Sequence, residues 1–133
     1  MIRPEVSSRH THEQALRENF LTRHARITVV GLGYVGLSLA VEFAKAGFVV
    51  SGIDVDIERV SAVNSGVSYL VDIESDLLEM LVTGKQLSAT TDFETAHTAD
   101  AVIICVPTPL RKSKEPDISY VLSALESLLP RIR

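Results

Sequence analysis

Ile27-Thr28-Val29-Val30-Gly31-Leu32-Gly33-Tyr34-Val35-Gly36-Leu37-Ser38-Leu39-Ala40-Val41 decides how the rest of the chain is read. Four residues of strand character run straight into a G-x-G-x-x-G, and apolar residues at helical spacing follow it. The segment predicts a buried strand, a tight glycine turn and a helix over about 34–46 closed by Gly47. Gly31 permits the turn. Gly33 has no side chain, so a pyrophosphate could approach the backbone, and Gly36 lets the helix lie close on the strand. Free N–H groups and the dipole at the helix start favour negative charge there.

Outward from this core the pattern alternates. A second strand is expected over 48–53, ending at Asp54. Asp56 caps a following helix that Gly66 closes. A further helix spans 75–83, with Leu77, Leu78 and Leu81 inward and Gly84 after it. Short strands follow at 87–90 and 100–106. A final helix starts near Asp117, with Ile118, Val121, Leu122, Leu125, Leu128, Leu129 and Ile132 at helical spacing. Strands alternating with helices imply an α/β fold: a Rossmann-type, doubly wound parallel sheet in three layers, α/β/α. The expected division is a tail and short helix over 1–25, then a dinucleotide-binding domain over 26–133. Residues 1–10 are expected as a mobile tail, and 12–24 as a short amphipathic helix carrying Ala15, Leu16, Phe20 and Leu21.

Asp54 lies eighteen residues past Gly36, where a carboxylate accepts from the adenosine ribose hydroxyls of a bound dinucleotide. It would repel a 2′-phosphate, which favours NAD over NADP, although Arg59 nearby could reach a phosphate. The bland alternative is a turn-forming glycine run and a helix-capping aspartate. Val106-Pro107-Thr108-Pro109 follows the fourth strand on the ligand side of such a sheet, with Thr108 offering a hydroxyl and an N–H; it could equally be a structural turn. Arg111, Lys112 and Lys114 could hold a second phosphorylated ligand or be solvated loop charges. Cys105 sits in an apolar strand with no adjacent base, which favours a buried core thiol over a nucleophile.

Composition narrows the classes further. The 133 residues suit one domain, and 46% hydrophobic with 23% charged residues excludes a disordered chain. The net charge of −4 argues against nucleic acid or an anionic membrane as partner. The charge is uneven: the first 26 residues carry +2 and the remainder −6. One cysteine allows no internal disulfide and suits a reducing compartment. The longest weakly polar stretch, 27–41, is shorter than the ~20 apolar residues of a span. Arg3, Pro4, Glu5 and Arg9 occupy the place of a signal peptide's apolar region, so a cytoplasmic protein is expected. His10 and His12 have no nearby carboxylate or cysteine that would complete a metal site.

Three stretches together resemble the UDP-glucose/GDP-mannose dehydrogenases. Residues 27–41 are similar to the family's opening, and Gly52-Ile53-Asp54-Val55-Asp56 with Arg59-Val60 to its second strand and following helix. Asp100 to Leu110, continuing through Glu115-Pro116-Asp117-Ile118-Ser119-Tyr120-Val121, resembles the branch that oxidises UDP-N-acetylhexosamines, typified by UDP-N-acetylglucosamine 6-dehydrogenase. Ser38 departs from the proline usual in the family.

The resemblance implies an NAD-dependent, four-electron oxidation of a sugar C6 hydroxyl to a carboxylate. It implies that Gly31, Gly33, Tyr34, Val35 and Gly36 line the pyrophosphate turn. Asp54 and Arg59 would hold the adenosine ribose, while Pro107 and Thr108 contact the cofactor. The family's catalytic cysteine, lysine and asparagine belong to later segments, and Cys105 does not match the nucleophile's motif. The chain therefore reads as the front part of a longer enzyme, truncated before a fifth strand, inactive alone, with UDP-sugar bound by downstream domains. A free-standing NAD-binding regulatory module is the alternative. A hydroxy-acid or 6-phosphogluconate type dehydrogenase fits the Tyr34-Val35 pair and Thr108 less well. An open fourth-strand edge is expected to drive self-association.

Overall fold

Four strands form one parallel sheet in the order β3-β2-β1-β4. The computed structural model describes residues 4–132, with side chains from residue 11 onward. In chain order the elements are α1 (Pro4–Leu21), β1 (Arg26–Val30), α2 (Tyr34–Lys45), β2 (Val49–Ile53), α3 (Ile57–Asn64), α4 (Ser75–Thr83), β3 (Leu87–Thr90), a 3-10 helix (Phe93–Thr98), β4 (Ala101–Ile104) and α5 (Ser119–Leu128). β1 pairs with β2 through Val30↔Ile53 and with β4 through Val30↔Ile104, so three strand ends come level beside the glycine turn. The chain passes from one side of β1 to the other between β3 and β4. The crevice at that reversal is where open α/β sheets bind ligands.

Side-chain alternation along β1 divides the core between the two sheet faces. Ile27 and Val29 pack with Leu37, Val41, Val63 and Leu78 from α2, α3 and α4. Val30 joins Ile53, Ala96, Ala124 and Leu128, from the 3-10 helix and α5. Helices thus cover both faces, the three-layer arrangement expected. Asp56 caps α3 by accepting from the Glu58 N–H, and Gly47 and Gly66 take positive φ after α2 and α3.

Several boundaries differ from expectation. α1 begins at Pro4, so residues 4–10 are helical rather than a tail, while residues 1–3 lie outside the described residues. It ends at Leu21, and Arg23 turns the chain through a positive φ. Phe20 anchors it to Phe48, with ring centroids 6.2 Å apart, and the Arg23 guanidinium lies 5.6 Å from the Phe48 ring centre. β4 stops at Ile104, although the Cys105 N–H still donates to the Val30 carbonyl at 2.7 Å. The 3-10 helix replaces what the sequence pattern left as a connection; Asp92 caps it. α5 starts at Ser119 and buries Ala124 and Leu128. Ile118, Leu122, Leu129 and Ile132 of its long apolar stripe are exposed, because only a narrow side of the helix meets the sheet. Among the described residues, no helix is long and apolar enough to cross a membrane.

Candidate cofactor site

Three successive peptides of the glycine turn are tied to neighbouring backbone or side chains. The Gly31 N–H donates to the Ile53 carbonyl at 2.7 Å, the Leu32 N–H donates to Asp54 Oδ2 at 2.8 Å, and the Leu32 carbonyl accepts from the Tyr69 hydroxyl. Gly31 has φ +96°, and a Cβ on it would meet the Cys105 carbonyl oxygen at 2.7 Å. A Cβ on Gly33 would find only Arg59 Nη1, at 3.8 Å. The space before Gly33 is therefore free of protein.

Helix α2 opens directly onto this space. Its first intrahelical bond is Leu37 N–H to the Gly33 carbonyl, and no side chain caps it. The N–H groups of Tyr34, Val35 and Gly36 make no hydrogen bond among the described residues, leaving the donor set that suits an anion. The Ser38 hydroxyl donates to the Tyr34 carbonyl at 2.6 Å, one turn on. The Tyr34 hydroxyl donates to Asp72 at 2.7 Å. That bond to a carboxylate raises the phenol's pKa.

Asp54 sits just beyond β2 and is 7% exposed. Besides the Leu32 N–H it accepts from the Asp56 N–H, through Oδ1 at 2.8 Å. Arg59 Nη1 stands 3.5 Å from Oδ2 and Arg59 Nε 3.8 Å from Asp56. Two backbone bonds and a guanidinium compensate the near-burial of a carboxylate. Oδ1, which holds a single N–H, keeps a further acceptor position, so the group can still receive a ligand hydroxyl.

A cavity of about 610 Å³ joins these parts, within the range of small-molecule and cofactor sites. Gly31, Gly33, Tyr34 and Val35 line one side, and Asp54 and Arg59 a second. Pro107 and Thr108 line a third. Gly36 does not reach the cavity. It packs against Gly31, which matches its helix-packing role.

Cys105 lines the cavity and is half-buried rather than fully buried. Burial raises its thiol pKa, which opposes thiolate formation. The basic run lies outside the cavity. Arg111 pairs with Asp117 at 3.4 Å in an exposed turn, where the Arg111 N–H donates to the Glu115 carbonyl. The Ser119 N–H, ahead of Arg111, holds the Asp117 carboxyl below its ordinary pKa.

Sequence reading missed Tyr69 and Asp72, which reach the turn from the connection between α3 and α4, and Phe93, Ser123 and Ser127 of the lining. An aromatic residue with a polar tip in a connection after Gly66 was the available signal for Tyr69. The two serines, four apart on α5, point to the same side.

Comparison with known proteins agrees with this geometry. The model of the UDP-glucose/GDP-mannose dehydrogenase family, NAD binding domain, matches residues 25–133. The chain is similar to the UDP-N-acetyl-D-mannosamine dehydrogenases of Pyrococcus horikoshii, 41% identical over 77% of this chain and 25% of that protein, and of Methanococcus maripaludis, 44% identical over 81% and 26%. Among solved structures it is similar to GDP-mannose dehydrogenase from Pseudomonas aeruginosa. The TM-score is 0.74 at 33% identity, over 77% of this chain and 24% of that one. The chain spans about a quarter of the length of the curated relatives it matches.

Proposed function

The chain belongs to the UDP-glucose/GDP-mannose dehydrogenase family through its NAD-binding domain, and from that premise we propose that it serves the oxidation of a UDP-N-acetylhexosamine at C6. The relatives named above as UDP-N-acetyl-D-mannosamine dehydrogenases support this substrate class. Taking a primary alcohol to a carboxylate removes four electrons, and each NAD accepts two, so the complete reaction uses two NAD. This chain contributes the cofactor half of that work, and sugar binding and the nucleophile come from elsewhere in the enzyme. Its single cysteine suits a reducing cytoplasm.

The observation that carries the reading is the convergence of the unclaimed α2 donors, the open space at Gly33 and the anchored Asp54 on one cavity. The N–H groups of the first turn of α2 would bind the pyrophosphate, helped by the helix dipole. Asp54 would accept from the adenosine ribose hydroxyls, with Arg59 holding the carboxylate in place. Pro107 and Thr108 would close the side beyond β4. Bound NAD would supply the acceptor for the two electrons and proton leaving the sugar carbon, while the residues here would orient it.

Calorimetric titration of the chain with NAD, followed by an absorbance assay for NADH with UDP-N-acetylmannosamine, UDP-N-acetylglucosamine and UDP-glucose, tests the proposal. Saturable NAD binding without turnover is expected. No NAD binding at millimolar concentration would overturn it, and turnover would overturn the assignment of the chemistry to other segments.

A further inference from the structure

The Leu32–Gly33 peptide is held by a residue that does not line the cavity. The Tyr69 hydroxyl donates to the Leu32 carbonyl, and Tyr69 does not line the cavity, whereas Gly33 does. In a planar trans peptide the carbonyl and the following N–H point in opposite directions, and the described peptides are all trans. Turning the Leu32 carbonyl toward Tyr69 therefore turns the Gly33 N–H the other way. That N–H makes no hydrogen bond among the described residues.

The segment that carries Tyr69 is itself fixed. Ile73 is buried and Leu70 packs against the same core. The Ile73 N–H donates to the Leu70 carbonyl at 3.2 Å, and the Ser68 N–H to Ser75 Oγ at 3.0 Å. Asp72, from the same segment, takes the Tyr34 hydroxyl at the start of α2. Two side chains of the α3–α4 connection thus hold the two residues, Leu32 and Tyr34, that flank Gly33.

We propose that Tyr69 is a positioning residue for the cofactor: its hydroxyl orients the Leu32–Gly33 peptide so that the Gly33 N–H joins the α2 donors facing the pyrophosphate. Burial, the larger cause, pushes the Tyr69 phenol up to about 12, with Arg59 opposing and Asp54 and Asp56 adding to the rise. The hydroxyl consequently remains a donor throughout the neutral range. The inference rests on the NAD reading above and adds a residue outside the cavity lining.

The test compares wild type with Tyr69→Phe, which keeps the ring and removes the donor. NAD and ADP affinities should fall by roughly three- to tenfold, the size of one lost hydrogen bond, while adenosine, which has no pyrophosphate, should bind within twofold of wild type. The Gly33 amide nitrogen resonance should also move in the ligand-free variant, because its peptide carbonyl has lost a partner. Unchanged NAD and ADP affinities, or an equal loss for adenosine, would overturn the proposal. In the wild type alone, the Gly33 amide proton should shift downfield on titration with ADP; a stationary resonance would overturn it even were the variant to fold poorly. Wild type failing to bind NAD at all would instead defeat the cofactor reading.

Discussion

A Cβ placed on Gly36 would lie 1.6 Å from the carbonyl oxygen of Gly31. The first turn of α2 therefore rests on the backbone of the turn that precedes it, and the same added Cβ would lie 3.3 Å from Cys105 Cβ. This contact joins the helix, the turn and the exit of β4 in one packing unit.

Gly33 and Gly36 should consequently fail in different ways. Gly36→Ala forces backbone apart and should cost about 3 kcal/mol or more of stability, read as a lower urea midpoint. Gly33→Ala has room in the protein and a backbone at φ −76°. It should unfold close to wild type yet bind NAD at least tenfold more weakly, because the methyl enters the ligand's space. A Gly33→Ala protein with full NAD affinity would contradict the site.

Asp54 should impose a preference for NAD over NADP, since a 2′-phosphate would face its carboxylate. Asp54→Ala removes hydrogen bonds to a charged group worth ~1.5–3 kcal/mol and should weaken NAD binding roughly ten- to a hundredfold. Calorimetry with both cofactors is the measurement. Equal wild-type affinity for NAD and NADP would remove Asp54 from the ribose.

Cys105 should behave as a sluggish thiol. Burial holds its pKa above the ordinary 9.0, so the folded chain keeps the proton that the unfolded chain releases first. This group's contribution to stability is present below about pH 9 and is lost as pH rises through the folded value. Iodoacetamide should alkylate the native chain at pH 8 more slowly than the urea-unfolded chain, and NAD should slow it further because Cys105 lines the cavity. Equal rates in both states would show an open thiolate.

Among the described residues β4 is one of the two end strands of the sheet, and its four residues are all half-buried. An apolar end strand without lysine, proline or bulge is a template for pairing. We propose that two copies of this chain pair through β4. Sedimentation velocity should show a dimer whose share grows with concentration, and a clean monomer over a wide concentration range would refute the pairing.

Strand–turn–helix geometry around Gly31 to Gly36 was legible because each glycine answers a local demand: a positive φ at Gly31, open space at Gly33, close packing at Gly36. Asp54 was legible from its distance along the chain. Tyr69 was not, because its role depends on the α3–α4 connection folding back across the turn, a contact 37 residues apart in sequence. The apolar stripe of α5 was legible only as a stripe. Helical spacing identifies an apolar stripe but not how much of it the neighbouring sheet is wide enough to cover. α1 extends back to Pro4 through polar residues whose pattern carries no apolar face, so periodicity had nothing to report there.

The two backbone bonds accepted by Asp54 have a consequence for redesign. Converting such a site to a phosphorylated ribose calls for removing the acid, yet removal strands the N–H groups of Leu32 and Asp56. A neutral replacement such as asparagine or serine can accept only part of that pair. A cofactor switch in this fold would therefore begin with new acceptors for those two donors, and only then with cations for the added phosphate.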